Sequence, residues 1–362
     1  MVKKNMISKD KLQDNNFNIL RLFFAIFVIV THSFVLSGNS SSEILGKLTN
    51  NQINFSYLGL RGFFIISGFL IFKSFERSSG LFDYLWKRFL RIFPGLLCIS
   101  LISIFIISPF LTNLSFADFF TNKNTYLVFS QSIDLFFEKN LTYLPGVFES
   151  NIFTPEINGS LWTISYEFLF YFGLVFLFIS KNKVIHFLLI LIAIISFIFF
   201  KLFYIDPWFK YEYFIFNSEI GVKSLYDFGL FFLSGSLFAS LNYENLKRRY
   251  HKIILLIVGL LILILLFNNL FINFFHLLLV PGILSLGLLN ASKFDITKKM
   301  GDISYGIYLS GFFIQQFYLS IYPFNPFLLT LITLMTSILY GFLSWVYIEK
   351  PALSYKNKFT NI

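Results

Sequence analysis

The first apolar run, "FNILRLFFAIFVIVTHS" at 17–33, carries two ionisable residues, Arg21 and His32. On a helix, with about 1.5 Å of rise and about 100° of turn per residue, they stand about 16.5 Å apart on nearly one face. Ionisable groups inside an apolar span cost free energy and are functional candidates by default. A histidine with a near-neutral pKa can take the proton of a hydroxyl nucleophile, which is what acyl transfer requires. Arg21 also has a plainer reading, snorkelling to the nearer interface. A second set is "WKRFLRIFPG" at 86–95, where Arg88 and Arg91 are three residues apart and share a helical face. Paired guanidinium forks suit phosphate or pyrophosphate, although by spacing alone simple anchoring at the membrane surface is the simpler reading. A third is Glu167 in "NGSLWTISYEFLFYFG" at 158–173, with Thr163 and Tyr171 four residues to either side. A carboxylate at that depth must pair, be protonated or face water. An ion pair with an arginine of another span is the rival to a role in chemistry.

Two stretches rich in small and aromatic residues could carry these groups. "LGLRGFFIISGFLIF" at 58–72 places Gly59, Gly62, Ser67 and Gly68 where helices pack closely. "GDISYGIYLSGFFIQQ" at 301–316 has a similar stripe with Tyr305, Tyr308, Gln315 and Gln316. The other histidines, His186, His251 and His276, lack a partner at metal-ligand spacing, and Cys98 is the only cysteine. No metal site is expected.

The elements that must position these residues are membrane helices. The 362-residue chain is 56% hydrophobic and only 13% charged, with apolar runs recurring from end to end. The pattern predicts an all-α integral membrane bundle of about ten transmembrane helices, near 17–37, 55–72, 92–112, 159–180, 184–203, 222–241, 253–270, 273–290, 302–321 and 327–348. Pro94 then falls near the start of the third. The whole of 1–362 reads as one transmembrane domain, with 113–158 an external loop and no appended soluble domain. The first run is too long for a signal sequence and lacks a small-residue cleavage site. With the N-terminus cytoplasmic, 21 of the 29 Lys and Arg fall inside, 6 fall in external loops, and Arg21 and Arg61 lie in spans. Both termini are therefore expected in the cytoplasm. The net charge of +10 is then mostly a topology signal and a contact with anionic lipid headgroups. "KRRYHK" at 247–252, flanked by spans, reads as a membrane anchor rather than a nucleic-acid patch.

Together these residues resemble the acyltransferase-3 membrane family, which includes bacterial O-acetyltransferases of surface polysaccharides. Arg21 and His32 match its basic-x10-His motif, and "FFIISGFLI" resembles its second-span signature through Phe63, Phe64, Ser67 and Gly68. "RFLR" resembles its Arg-x-x-Arg pair and "SLWTISYEFLFY" its Trp…Ser-x-Glu signature. "GDISYGIYL" and "YIEKPAL" resemble its late Ser-Tyr-x-x-Tyr and Glu-Lys/Arg-Pro motifs. In many relatives a histidine follows the late Tyr-Leu, where this chain has Ser310 and Gly311, so no role carries over there.

The resemblance implies transfer of acetyl from cytoplasmic acetyl-CoA to a hydroxyl of an exported or surface saccharide such as lipopolysaccharide O-chain, capsule or exopolysaccharide. It implies that Arg88 and Arg91 hold the donor's phosphates, with Arg21 and Ser67 along the same channel. His32 would be general base or transient acyl acceptor, and Glu167 would orient it or pair with a channel arginine. A polysaccharide flippase or other transporter, or an oligosaccharide polymerase, is the alternative. No inverted repeat of broken helices is visible, which weighs against many transporter folds.

Overall fold

The computed structural model describes residues 15–136, 143–153, 155–200, 221–289 and 300–357. These residues form helices without a strand; a lone bridge joins Tyr143 and Glu156. The principal helices are α1 (Phe17–Leu36), α2 (Phe55–Glu76), α3 (Leu81–Leu101), α4 (Phe116–Thr121), α5 (Lys123–Ile133), α6 (Trp162–Gly173), α7 (Lys183–Phe200), α8 (Val222–Ser240), α9 (Arg248–Phe267), α10 (Phe271–Leu288), α11 (Ser304–Ile321) and α12 (Pro326–Ser344). All ten expected helices are present. Seven of them, α1, α2, α3, α6, α9, α10 and α12, some with their continuations, are long and apolar enough to cross a membrane. Among the other three, α8 and α11 carry polar residues that they turn inward: Ser234 and Ser236 are buried on α8, as are Gln315 and Gln316 on α11. An internal polar face lowers a helix's hydropathy without exposing it to lipid.

The third helix departs most from the expected boundaries. It begins at Leu81 rather than 92 and runs on through a wide turn at Ile102–Ile107 to Phe110. Lys87, Arg88 and Arg91 therefore lie within it, and only four residues separate it from the end of α2 at Glu76. Pro94 is inside the helix rather than at its start. The charged first turns hid the true beginning, because an apolar run marks where a helix meets lipid and not where it starts.

Contacts between helix ends show that successive helices alternate in direction. The start of α1 meets the end of α10 through Asn16, whose Nδ2 donates to the carbonyls of Leu286 and Leu289 at 3.1 Å. At the opposite end, Gln52 ahead of α2 accepts from the amide of Phe271 at the start of α10 (2.9 Å). The densest packing is α2 against α8, where Gly68 abuts the Phe232 carbonyl and Gly235 the Ile65 carbonyl. Small residues let two backbones approach this closely. α1, α11 and α12 form the neighbouring group. α9 has the least burial, with Leu256, Leu260, Leu263 and Ile264 all more than half exposed. An apolar face of that kind suits lipid.

The segment expected as an external loop at 113–158 contains two helices, α4 and α5, among its described residues. Phe119, Val128, Leu144, Val147 and Phe148 bury themselves against Ile104 and Phe313. Its last part is pinned to α11. Asn151 Nδ2 donates to Gln316 Oε1 (2.8 Å), Gln316 Nε2 to the Glu156 carbonyl (3.0 Å), and Asn158 Nδ2 to the Leu309 carbonyl (2.7 Å).

Candidate active site

Arg21 lies one turn into α1 and does not stand alone. Its Nη1 donates to Asp302 Oδ2 at 2.5 Å, and Arg91 Nη2 donates to the same oxygen at 2.5 Å. Ser304 Oγ donates to Asp302 Oδ1 at 2.6 Å, and Asp302 is only 8% exposed. A second guanidinium nitrogen of Arg91 lies 3.9 Å from Glu349 Oε2, while Ser344 Oγ donates to Glu349 Oε1 at 2.9 Å. Snorkelling, the plainer reading of Arg21, is thereby replaced by a buried ion-pair cluster. Asp302 and Glu349 are the residues that the sequence reading did not assign. The signal was present in "GDISYG" and "YIEKPAL", where an acid sits at each margin of an apolar run.

Arg88 sits differently. Its Nη2 donates to Ser74 Oγ at 3.1 Å, its guanidinium carbon lies 5.8 Å from the centre of the Tyr171 ring, and its buried Nε has no hydrogen-bond partner. Arg21, Arg88 and Arg91, with Arg77, Lys87 and Lys356, line a cavity of about 430 Å³ whose wall also includes Ser67, Ser74 and Tyr171. Of these six cations, Arg21 and Arg91 pair with Asp302 and Lys87 with Asp83, which leaves Arg77, Arg88 and Lys356 without a carboxylate partner among the described residues.

Arg21 and Ser67 also line a second, much narrower cavity of about 40 Å³, with Phe63, Thr163, Glu167, Tyr305 and Tyr308. Glu167 lies there, and one of its partners is Tyr171, which the sequence places on its face. Ser67 Oγ donates to Glu167 Oε1 at 2.7 Å, and the Tyr171 hydroxyl donates to the same oxygen. Glu167 therefore joins α2 to α6 rather than contacting His32. Beside it, Thr163 hydrogen-bonds the Tyr308 hydroxyl, which donates to the Ser160 carbonyl (2.9 Å). The Tyr305 hydroxyl donates to the Ile92 carbonyl at 2.8 Å. Hydroxyls paired with carbonyl and carboxylate oxygens in this way satisfy the polar groups named here.

His32 stands beyond this passage, toward the other end of α1. Its ring meets Phe312 edge-on, with centres 5.3 Å apart and planes at 84°. Phe312 is one helical turn past Tyr308, so α11 carries the wall of the narrow passage to the histidine. The edge of the Phe312 ring crowds Gly159, where the Glu156 carboxylate also sits. Burial pushes the Glu156 carboxyl above the usual carboxylate range. Next to His32, Thr31 Oγ1 donates to Glu43 Oε1 (3.2 Å) and Glu43 accepts the Gly46 and Phe55 amides, which fixes the chain leaving α1. The other ionisable groups have structural partners. Arg61 pairs with Asp227 and lies over Tyr57, and Lys73 Nζ reaches Glu244 at 2.7 Å. His186 Nε2 meets the Ser180 carbonyl at 2.7 Å and His251 Nδ1 lies 3.3 Å from Ser285 Oγ.

A basic cavity, a small cavity walled by Leu60, Phe63, Phe64 and Ile164 beside Thr163 and Glu167, and a histidine lie in order along α1. The family profile described as "Acyltransferase domain" matches residues 14–347. The chain belongs to the acyltransferase-3 family. It is 33% identical over 160 residues to an O-acetyl transferase of Shigella phage Sf6, covering 44% of each chain. It is 31% identical over 165 residues to nodulation protein 10 of Rhizobium leguminosarum bv. viciae, covering 44% of this chain and 43% of that one. The matched region spans less than half the length of these curated relatives. No solved structure matches the chain. Family membership and the apolar helices identify a multi-pass membrane protein.

Proposed function

We propose that the protein is an integral-membrane O-acyltransferase that moves acetyl from cytoplasmic acetyl-CoA to a hydroxyl of an exported or surface saccharide. The supporting observation is the basic cavity of about 430 Å³, which shares Arg21 and Ser67 with a cavity of about 40 Å³ lined by Glu167 and Tyr308. A phosphate-bearing thioester with a long thin arm fits that shape and charge: phosphates in the wide basic part, the arm in the constriction. In this reading the phosphates lie at the end of the cavity where the Arg-x-x-Arg segment stands, Arg21 and Ser67 flank the entrance to the constriction, and Glu167 holds Ser67 and Tyr171 in place. His32 takes the proton as the saccharide oxygen attacks the thioester carbonyl. The carbon–sulfur bond breaks, and the proton passes to the departing thiolate. A covalent acetyl-histidine is the second route to the same products.

The ten helices, all spanning, would place both termini and the basic cavity in the cytoplasm and His32 toward the outer face of a bacterial inner membrane. Lipid headgroups would meet the inner lysines. The relative named an O-acetyl transferase favours acetyl as the group moved. Mass spectrometry of surface glycan from deletion and complemented cells tests the proposal. Complementation should add the mass of acetyl groups that mild alkali removes. Unchanged acetylation with lost or shortened glycan would instead favour a flippase or a polymerase.

A further inference from the structure

We propose that Asp302 is a positioning residue that holds Arg91 and Arg21 at the head of the constriction and leaves Arg88 as the arginine that grips an anionic phosphate of the donor. The inference rests on the donor reading above and divides roles that the Arg-x-x-Arg spacing treats as one pair.

The division follows from what each guanidinium already touches. Asp302 Oδ2 takes one hydrogen bond from Arg21 and one from Arg91, both at 2.5 Å, and Ser304 fixes the other carboxylate oxygen. Arg91 also faces Glu349 at 3.9 Å. For Arg91 to grip a phosphate it must exchange a buried carboxylate for another anion, a trade with little net gain. Arg88 has no carboxylate within ion-pair distance among the described residues. It holds only a serine hydroxyl and a tyrosine face, and its Nε is buried without a hydrogen-bond partner at the wall of the basic cavity. A buried donor without an acceptor is destabilising until an acceptor arrives. A phosphate oxygen supplies one, in the planar geometry that a guanidinium favours. Asp302, meanwhile, keeps two like charges side by side at the entrance to the constriction, where the reacting end of the donor must pass.

The test uses the purified full-length protein in detergent, with radiolabelled coenzyme A as the binding probe and acetyl-CoA turnover in membranes as the kinetic one. Arg88→Gln should weaken coenzyme A binding about tenfold or more, the loss expected for charge-assisted hydrogen bonds. Arg91→Gln and Asp302→Asn should leave that binding within about threefold of wild type and lower turnover instead. Asp302→Glu, which keeps the charge, should recover part of the turnover. Losses of binding in Arg91→Gln or Asp302→Asn equal to that in Arg88→Gln would overturn the inference. If Asp302→Asn does not accumulate, the comparison of Arg88→Gln with Arg91→Gln decides by itself. A wild-type protein that binds no coenzyme A would overturn the donor reading and this inference with it, whereas equal losses at Arg88 and Arg91 in a protein that binds it would overturn only the inference.

Discussion

At the scale of the residue, His32 and Glu167 separate into two environments. His32 packs against Phe312, and none of the described side chains takes a hydrogen bond from it or gives it one. A ring in that state keeps its nitrogens for a substrate. His32→Ala should accumulate normally and lose acetyl transfer by about 10²–10⁴-fold, the usual contribution of a general base. His32→Gln should fail as well, because an amide cannot take up a proton near neutral pH. Glycan acetylation at matched protein levels is the measurement, and near-normal acetylation by His32→Gln would remove the histidine from the chemistry. Glu167, by contrast, accepts two hydroxyls and joins two helices. Glu167→Gln should retain more activity than Glu167→Ala, since it keeps an acceptor oxygen for Ser67. Equal loss in both, with normal thermal stability, would mean that the charge itself acts. The candidate residues were legible because an ionisable side chain stands out in an apolar run. Their partners were not. Asp302 lies 281 positions from Arg21, and nothing in local spacing joins them.

At the scale of the element, periodicity and apolar length located all ten helices but misplaced the start of the third. α3 starts in a charged stretch, and its Arg88 and Arg91, expected to share a helical face just ahead of the third span, lie within the helix and line a cavity. The small-residue stripe on α2 was correctly read as packing, yet its partner, α8, became clear only in three dimensions. At that contact Gly68 and Gly235 each leave room for a facing carbonyl. In Gly68→Ala the new methyl would run into the Phe232 carbonyl, so the helices must part, at roughly 1–3 kcal/mol as for other overpacked sites. Thermal unfolding in detergent should show a lower midpoint, and an unchanged midpoint would show that the interface yields freely. Because Glu167 bonds Ser67 one residue before Gly68, the same variant should also reduce transfer.

At the scale of the whole molecule, the structure arranges charge along one axis. The basic cavity, the Arg21–Asp302–Arg91 cluster and the Lys73–Glu244 pair share one end, while His32, Glu43 and the 143–161 segment share the other. Alternating helix directions bring this about, and the division of 21 cations against 6 predicts which end is cytoplasmic. Under the proposed function, a donor made in the cytoplasm would enter at the basic end, and an acceptor at the outer surface would meet the histidine end. Labelling can check this orientation because Cys98 is the only cysteine and can be replaced. In a Cys98→Ala background, cysteine at position 130 should react with an impermeant maleimide added outside intact spheroplasts. Cysteine at position 78, in the short turn between α2 and α3, should react only after the membrane is opened. The reverse pattern would invert the protein in the membrane. It would place the basic cavity where no acetyl-CoA is found, and the transfer mechanism would fall with the topology.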